Sequence, residues 1–337
     1  MNSRLNRRAA LAALGAVGLA AGIAAPAFAD SDKILLRMST PASAGDQRSI
    51  ALEEVFGPAV SEFATYEPHY NGSLIAQNAE LEAIASGDLE MSIASAQELS
   101  QFFPEFSIFA TGYVHQDAVH QVRVFNDPLM APFKQKAEDE LGVKLLSVMY
   151  LGKRHVNLRQ TKEELTVMTP ADLAGVNLRM PGTDAWQFLG KALGANPTPM
   201  AFTEVYTALS TGSVDGQDNP LPTVVDAKFY EVTNQIILTS HLVDLNYVAF
   251  SKAVWDELTP EQQVTVQAAA DAAAAVGRLR QLDLENSLAS FIREQGVEIY
   301  EPDQAAFRNH VQSMYLGTDA SADWPEGVLE RINALGN

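Results

Sequence analysis

Cysteine is absent from all 337 residues of the chain. That absence excludes disulfides, a lipid anchor on cysteine and any thiolate metal site. Basic charge is also scarce: 23 Lys and Arg stand against 42 Asp and Glu, a net charge of −19. Such a surface repels nucleic acid and anionic membrane, so neither is an expected partner. A local anion site stays open to it, because distant charges are screened beyond ~10 Å. Catalytic signatures are missing too, with no H-E-x-x-H, G-x-S-x-G, phosphate loop or dinucleotide fingerprint in the sequence. The six histidines show no metal spacing, His115 and His120 being five apart. No catalytic residue, metal or cofactor is expected. Repeats, low-complexity segments and flexible linkers are likewise lacking.

One long apolar run is present, and it stands at the start. Arg4, Arg7 and Arg8 form a positive region, residues 9–24 are almost purely apolar, and Ala27-Phe28-Ala29 is an A-x-A cleavage site. This pattern predicts a signal peptide over residues 1–29, cleaved after Ala29, and a soluble periplasmic protein starting at Asp30. The run is too short and wrongly flanked for a permanent span. The Arg7-Arg8 pair leaves both twin-arginine and general export open. Without residues 1–29 the chain carries 20 basic and 42 acidic residues, net −22.

The remainder alternates between strand and helix patterns. Residues 34–38 predict a strand. Ile50, Leu52, Val55, Phe56, Val60 and Phe63 give residues 49–64 helical spacing. A strand over 66–70, a helix over 76–85 stopped by Gly87, and a strand over 89–93 follow. This β-α-β-α-β order predicts a parallel sheet with helices on its faces. Helices over 117–125 and 130–141 lead to a strand over 144–150, broken at Gly152 and resumed over 154–158. Thr169-Pro170-Ala171-Asp172 opens a turn of helix, and a strand follows over 176–180. Helices over 184–193 and 203–210 are separated by Asn196-Pro197-Thr198-Pro199. A short extended piece over 214–217 and a strand over 242–251 come next. Thr259-Pro260-Glu261-Gln262 is a capping-box start for one Ala-rich helix running to about residue 292, roughly 50 Å long. A helix of that length is expected to cross between two lobes, which extended strands near 150–152 and 242–251 would join.

Two stretches suggest a site that holds a small acid. Leu178-Arg179-Met180-Pro181 ends a predicted strand on an arginine, whose planar fork can take a carboxylate bidentately. Asp218-Asn219-Pro220-Leu221-Pro222 places an amide side chain before a proline, where the backbone must be extended. An arginine at a strand end can equally serve a structural salt bridge, and Asn219 can stabilise its own turn.

Six blocks in order carry a family resemblance. They are Gly152-Lys153-Arg154-His155, Leu178 to Pro181, Gly194-Ala195-Asn196-Pro197-Thr198-Pro199-Met200, Phe202-Thr203-Glu204-Val205-Tyr206, Val214 to Leu221, and Lys228-Phe229-Tyr230-Glu231-Val232. Over residues 33–315 the chain resembles the periplasmic substrate-binding proteins of tripartite ATP-independent periplasmic (TRAP) transporters, of the dicarboxylate- and sialic-acid-binding type. The resemblance implies an α/β, two-lobed periplasmic binding protein fold with hinge strands and a long helix spanning both lobes. Lobe I would comprise residues 30–151 with about 245–284, and lobe II residues 152–244 with about 285–337.

By position, the resemblance implies that Arg179 clamps the ligand carboxylate and that Asn219 contacts the same group. It implies further ligand contacts from Arg154 and Phe202. Gln77 and Asn78 fall in the loop where members differ by ligand. Ser95 opens the segment that supplies a Glu and an Arg in sialic-acid binders; here it reads Ser95-Ala96-Gln97-Glu98, which argues against sialic acid. The loop over 39–46 lacks the histidine often found there. The implied function is capture of a small organic acid, a uronate or other sugar acid being favoured, and its delivery to membrane transporter subunits by a monomer. A secreted hydrolase or lyase acting on an acidic sugar, and a sensor subunit that presents ligand, are the alternatives.

Overall fold

The computed structural model describes residues 33–336. The expected signal segment and its cleavage site lie outside the described residues. Nine strands are described: β1 (Ile34–Ser39), β2 (Ala64–His69), β3 (Met91–Ser95), β4 (Val143–Leu158), β5 (Asn177–Met180), β6 (Asn196–Pro199), β7 (Gly216–Asn219), β8 (Gln235–Ser251) and β9 (Glu298–Tyr300). They form one mixed sheet in the order β2-β1-β3-β8-β4-β7-β5-β6, with β9 beside β8.

Two parallel groups are visible in it. β1 pairs parallel with β2 and β3, and β5 pairs parallel with β6 and β7. Between them run β4 and β8, antiparallel to each other and to their outer neighbours. These two strands are 16 and 17 residues long and buried at nearly every position. Their near-continuous apolar runs suit strands covered on both faces. Each therefore passes through both halves, and the fold is a two-lobed α/β structure.

The break expected at Gly152 is a kink inside one continuous strand. The pairing of β4 with β8 shifts register between Tyr150 and Gly152, and Gly152 has φ +130°. A Cβ there would lie 2.6 Å from Pro220 and 2.8 Å from the Glu285 carboxylate. Glu285 accepts hydrogen bonds from the Tyr150 hydroxyl and the Lys153 N–H, both at 2.5 Å, and so holds the chain on either side of the kink.

Glu285 belongs to the long helix, Pro260–Glu294, whose expected capping box forms between Thr259 and Gln262. Ala269, Ala270, Ala273 and Ala274 on this helix are buried with Leu52, Phe56 and Phe250 of the first lobe. Near its end Ile292 is buried with Val205, Phe229 and Ile236 of the second. One helix thus contributes to both cores.

Three details go beyond the sequence reading. The helix expected over residues 49–64 is one helical run from Gln47 to Val60 that carries a π-turn inside it. An α-turn (Gln47–Ala51), a π-turn (Leu52–Phe56) and a second α-turn (Gly57–Val60) follow one another. Pro58 has no N–H to give the Glu54 carbonyl, and a π-turn accommodates such a defect. Asn196–Pro199, expected as a separator, is strand β6 at the sheet edge, where prolines withhold no needed donor. Finally, the last helix (Val328–Leu335), in the span that the resemblance implies for lobe II, packs against the cluster that holds Phe106, Phe133 and Tyr247. Ile332 joins that cluster, and the Ile332 carbonyl lies 2.7 Å from His120 Nε2.

Gly152→Ala combines a disallowed φ with a collision, so it should destabilise the protein by at least ~2 kcal/mol in urea unfolding. Gly87→Ala, also at positive φ but with nothing within 4 Å of a new Cβ, should cost only ~1 kcal/mol. Equal losses would mean that packing at the kink contributes nothing.

Candidate functional site

β5 packs Leu178 and Met180 into the apolar core, and strand alternation turns Arg179 to the other face. Arg179 is fully buried. Its Nε and Nη2 donate to the Met200 carbonyl at 3.0 and 2.7 Å, and its guanidinium lies 6.0 Å from the Phe202 ring centre. Among the described residues no carboxylate pairs with it. Burial lowers its pKa to about 9; Asp218 and Glu204 hold it up in part, while Arg154 pushes it further down. It remains a cation at neutral pH, and an unmatched one.

Arg154, on β4, is also buried but fully matched. Its Nε donates to Asp218 Oδ2 at 2.7 Å and its Nη1 to Asp244 Oδ2 at 2.8 Å. Nη2 reaches the Asp218 carbonyl at 2.6 Å, and the group stacks 4.4 Å from the Trp186 ring centre. Burial alone would lower its pKa, yet the two carboxylates outweigh burial and raise it. Burial would likewise raise the Asp218 pKa, but Arg154 and His241 drive it far down.

Asn219 ends β7, beside Gln217. A relay of buried amides orients it: Asn219 Nδ2 donates to Gln217 Oε1 at 2.5 Å, and Gln217 Nε2 to Asn157 Oδ1 at 2.8 Å. The second N–H of Asn219 is left for another acceptor. Phe202 follows β6, and its N–H donates to Gln77 Oε1 at 2.7 Å across the gap between lobes. Ser95 ends β3 and forms a capping box with Glu98, its N–H donating at 2.6 Å and its hydroxyl at 3.0 Å to the Glu98 carboxylate.

Arg179, Arg154, Asn219, Phe202, Gln77 and Ser95 all line one cleft. The structure does not bring Asn78 to this wall. Its backbone is left-handed (φ 73°), and its side chain lies near Gly182 with Oδ1 buried and unpartnered.

Sequence reasoning missed other groups in the cleft. Arg48 donates to Asp46 Oδ1 at 2.9 Å and Oδ2 at 2.8 Å, and to Asn246. Asp244 and Asn246 stand two apart in the apolar strand β8, a spacing that puts both on one face and could have flagged them. Thr223 and Asp226 lie on the helix Leu221–Asp226. Ser43 Oγ donates to Asp226 Oδ2 at 2.6 Å, a second bond across the mouth. Arg48 and Arg154 are thus each paired with carboxylates at the cleft, whereas Arg179 is not. Behind the wall, both carboxylate oxygens of Glu80 are buried without partners. Burial, aided by Glu98, pushes its pKa up to about 8. Among the described residues no cluster of His, Asp and Glu is placed to hold a metal, and no helix is long and apolar enough to cross a membrane.

Comparison with known proteins gives a consistent picture. Residues 61–319 match the family model for bacterial extracellular solute-binding protein, family 7. The sialic acid-binding periplasmic protein SiaP of Vibrio cholerae is 30% identical over 257 residues, 76% of this chain and 78% of its own. The 2,3-diketo-L-gulonate-binding periplasmic protein YiaO of Escherichia coli is 29% identical over 255 residues, 74% of this chain and 75% of its own. A crystal structure of a TRAP periplasmic solute-binding protein from Roseobacter denitrificans, with bound 3-deoxy-D-manno-oct-2-ulosonic acid (KDO), is 81% identical. It superposes with a TM-score of 0.90 and covers 90% of this chain and all of its own. Another from that organism, with bound L-galactonate, is 25% identical with a TM-score of 0.81, over 91% of this chain and 99% of its own.

The Glu80 carboxyl generates a pH dependence. Below pH ~4.5 native and unfolded chains both hold its proton. Between ~4.5 and about 8 the unfolded chain has released it and the native protein has not, so stability falls as pH rises through that window. Glu80→Gln keeps the neutral shape without titrating. The melting temperature of wild type relative to Glu80→Gln should therefore drop between pH 5 and pH 8. A constant difference would show that Glu80 is ionised throughout.

Proposed function

The chain belongs to family 7 of the bacterial extracellular solute-binding proteins, and we propose that it serves a TRAP transporter by capturing a long polyhydroxylated sugar acid of the KDO type. The observation that carries this reading is Arg179, a buried guanidinium bonded to one carbonyl and to no anion. A ligand carboxylate completes it, with the free N–H of Asn219 as a further donor. The 81% identity to a protein holding KDO supports the choice of acid, and a hydroxyl-rich ligand fits the polar walls. Sialic acid fits less well, because Ser95 and Glu98 spend their polar groups on each other.

Each remaining contact follows from its geometry. Arg154 can add a hydrogen bond but little net charge, since Asp218 and Asp244 already neutralise it. Phe202 covers the ligand, and Gln77 and Ser95 face it from the first lobe; Asn78 acts through the shape of its loop. Lobe I and lobe II, divided near residues 151–152 and 244–245, close about the kink at Gly152. Closure expels water and strengthens every charged contact, and the ligand shifts the population toward the closed form. Export follows cleavage after Ala29, and a monomer presents the closed form to membrane subunits. We read the protein as a carrier and not an enzyme, because Asp46, Asp218 and Asp244 each neutralise an arginine instead of standing free as a general base.

Calorimetry and thermal shift test the reading on protein stripped of ligand. KDO at 100 times its dissociation constant should add about 2.7 kcal/mol of stability. Arg179→Met should lower affinity on the order of 100-fold or more. Its unliganded melting temperature should match or exceed that of wild type, since an unmatched buried charge is gone. Normal binding by Arg179→Met, or chemical turnover of the bound acid seen by NMR, would overturn the proposal.

A further inference from the structure

We infer that Thr223 and Asp226 read the hydroxylated tail of the ligand and make the cleft select long monocarboxylic acids over short acids and diacids. This rests on the sugar-acid reading above and concerns the other end of the same cleft.

β7 ends at Asn219, Pro220 turns the chain, and the helix Leu221–Asp226 begins. Thr223 and Asp226 are three apart on that helix, so they share one face, and both line the cleft together with Asn219. Leu221 and Val224 turn the other way, into the core with Val205 and Phe229. From Thr223 to Asp226 this stripe rises about 4.5 Å along the helix. A long acid anchored at Arg179 extends further along it than a four-carbon acid does.

The start of the stripe is built for a partner it does not have within the protein. Thr223 is 7% exposed, and its Oγ1 is buried with no hydrogen bond. A helical threonine can turn this oxygen onto the carbonyl four residues back, and Thr223 does not. A buried hydroxyl without a partner calls for one, and a ligand hydroxyl supplies both donor and acceptor. At the end of the stripe Asp226 accepts from Ser43 of the facing lobe. Gly45 comes so close that a Cβ there would stand 2.5 Å from Asp226 Oδ1. A hydroxylated tail donates to this carboxylate and helps hold the mouth shut, whereas a second ligand carboxylate meets like charge from Asp226.

Calorimetry with KDO, L-galactonate and D-erythronate, acids of eight, six and four carbons, tests this on wild type, Thr223→Val and Thr223→Ser. Thr223→Val should lose about tenfold for KDO and progressively less for the shorter acids, while Thr223→Ser, which keeps the hydroxyl, should bind all three as wild type does. Asp226→Asn should narrow the preference for galactonate over the diacid galactarate. Equal losses at every chain length, no loss at all, or an unchanged diacid preference would overturn the inference. A wild type that binds only the shorter acids refutes KDO as ligand and leaves the stripe to be judged on galactonate against erythronate. A wild type that binds none of them refutes both.

Discussion

A guanidinium cannot stay dry without an anion, and that constraint organises the middle of this molecule. Three arginines reach the cleft from three different elements. Asp46 answers Arg48, and Asp218 with Asp244 answers Arg154. The third, Arg179, is matched only by a carbonyl dipole. The protein leaves one positive charge where apolar side chains would pack more favourably, a pattern of stability given up at a site of use. The surrounding pairs matter as much as the exception. They leave Arg179 as the one guanidinium of the three without a carboxylate partner, which is the premise of the proposed clamp.

That arrangement needs a rigid frame, and β4 with β8 provides it. The two strands run through both lobes, and they bring Arg154, Asp244 and Asn246 to the cleft from the same stretch of ladder. Short parallel groups on either side supply Ser95 from the end of β3, Arg179 from β5 and Asn219 from β7. Functional side chains therefore sit at strand ends and on strands buried on both faces. A shift of one residue in either long strand would turn those side chains to the opposite face.

Much of this was legible in the sequence where the rule is local. Gly87 ends its helix in the left-handed conformation, and Thr259 with Gln262 caps the long helix. Arg179 and Asn219 could be picked out because a planar cationic fork at a strand end and an amide held extended before a proline suit a carboxylate, and the family blocks fixed their place. What escaped was set by distant partners. Arg154 reads as an open cation until β7 and β8 bring carboxylates from 64 and 90 residues away. β6 was hidden because two prolines in four residues argue against a strand, and only its edge position permits them. Thr223 carries no local signal: a threonine in a short helix is unremarkable until its oxygen proves to lack a partner.

The carboxylate of Glu285 has a mechanical meaning. It ties the C-terminal third of a 35-residue helix to both sides of the kink in β4, while stretches on either side of that tie are embedded in different cores. Bending at Gly152 must therefore flex the helix or loosen its tie, as a beam clamped at both ends resists a load between them. The restoring force comes from backbone stiffness and one side chain, and it does not depend on what occupies the cleft. In the proposed closure, every acid works against that spring.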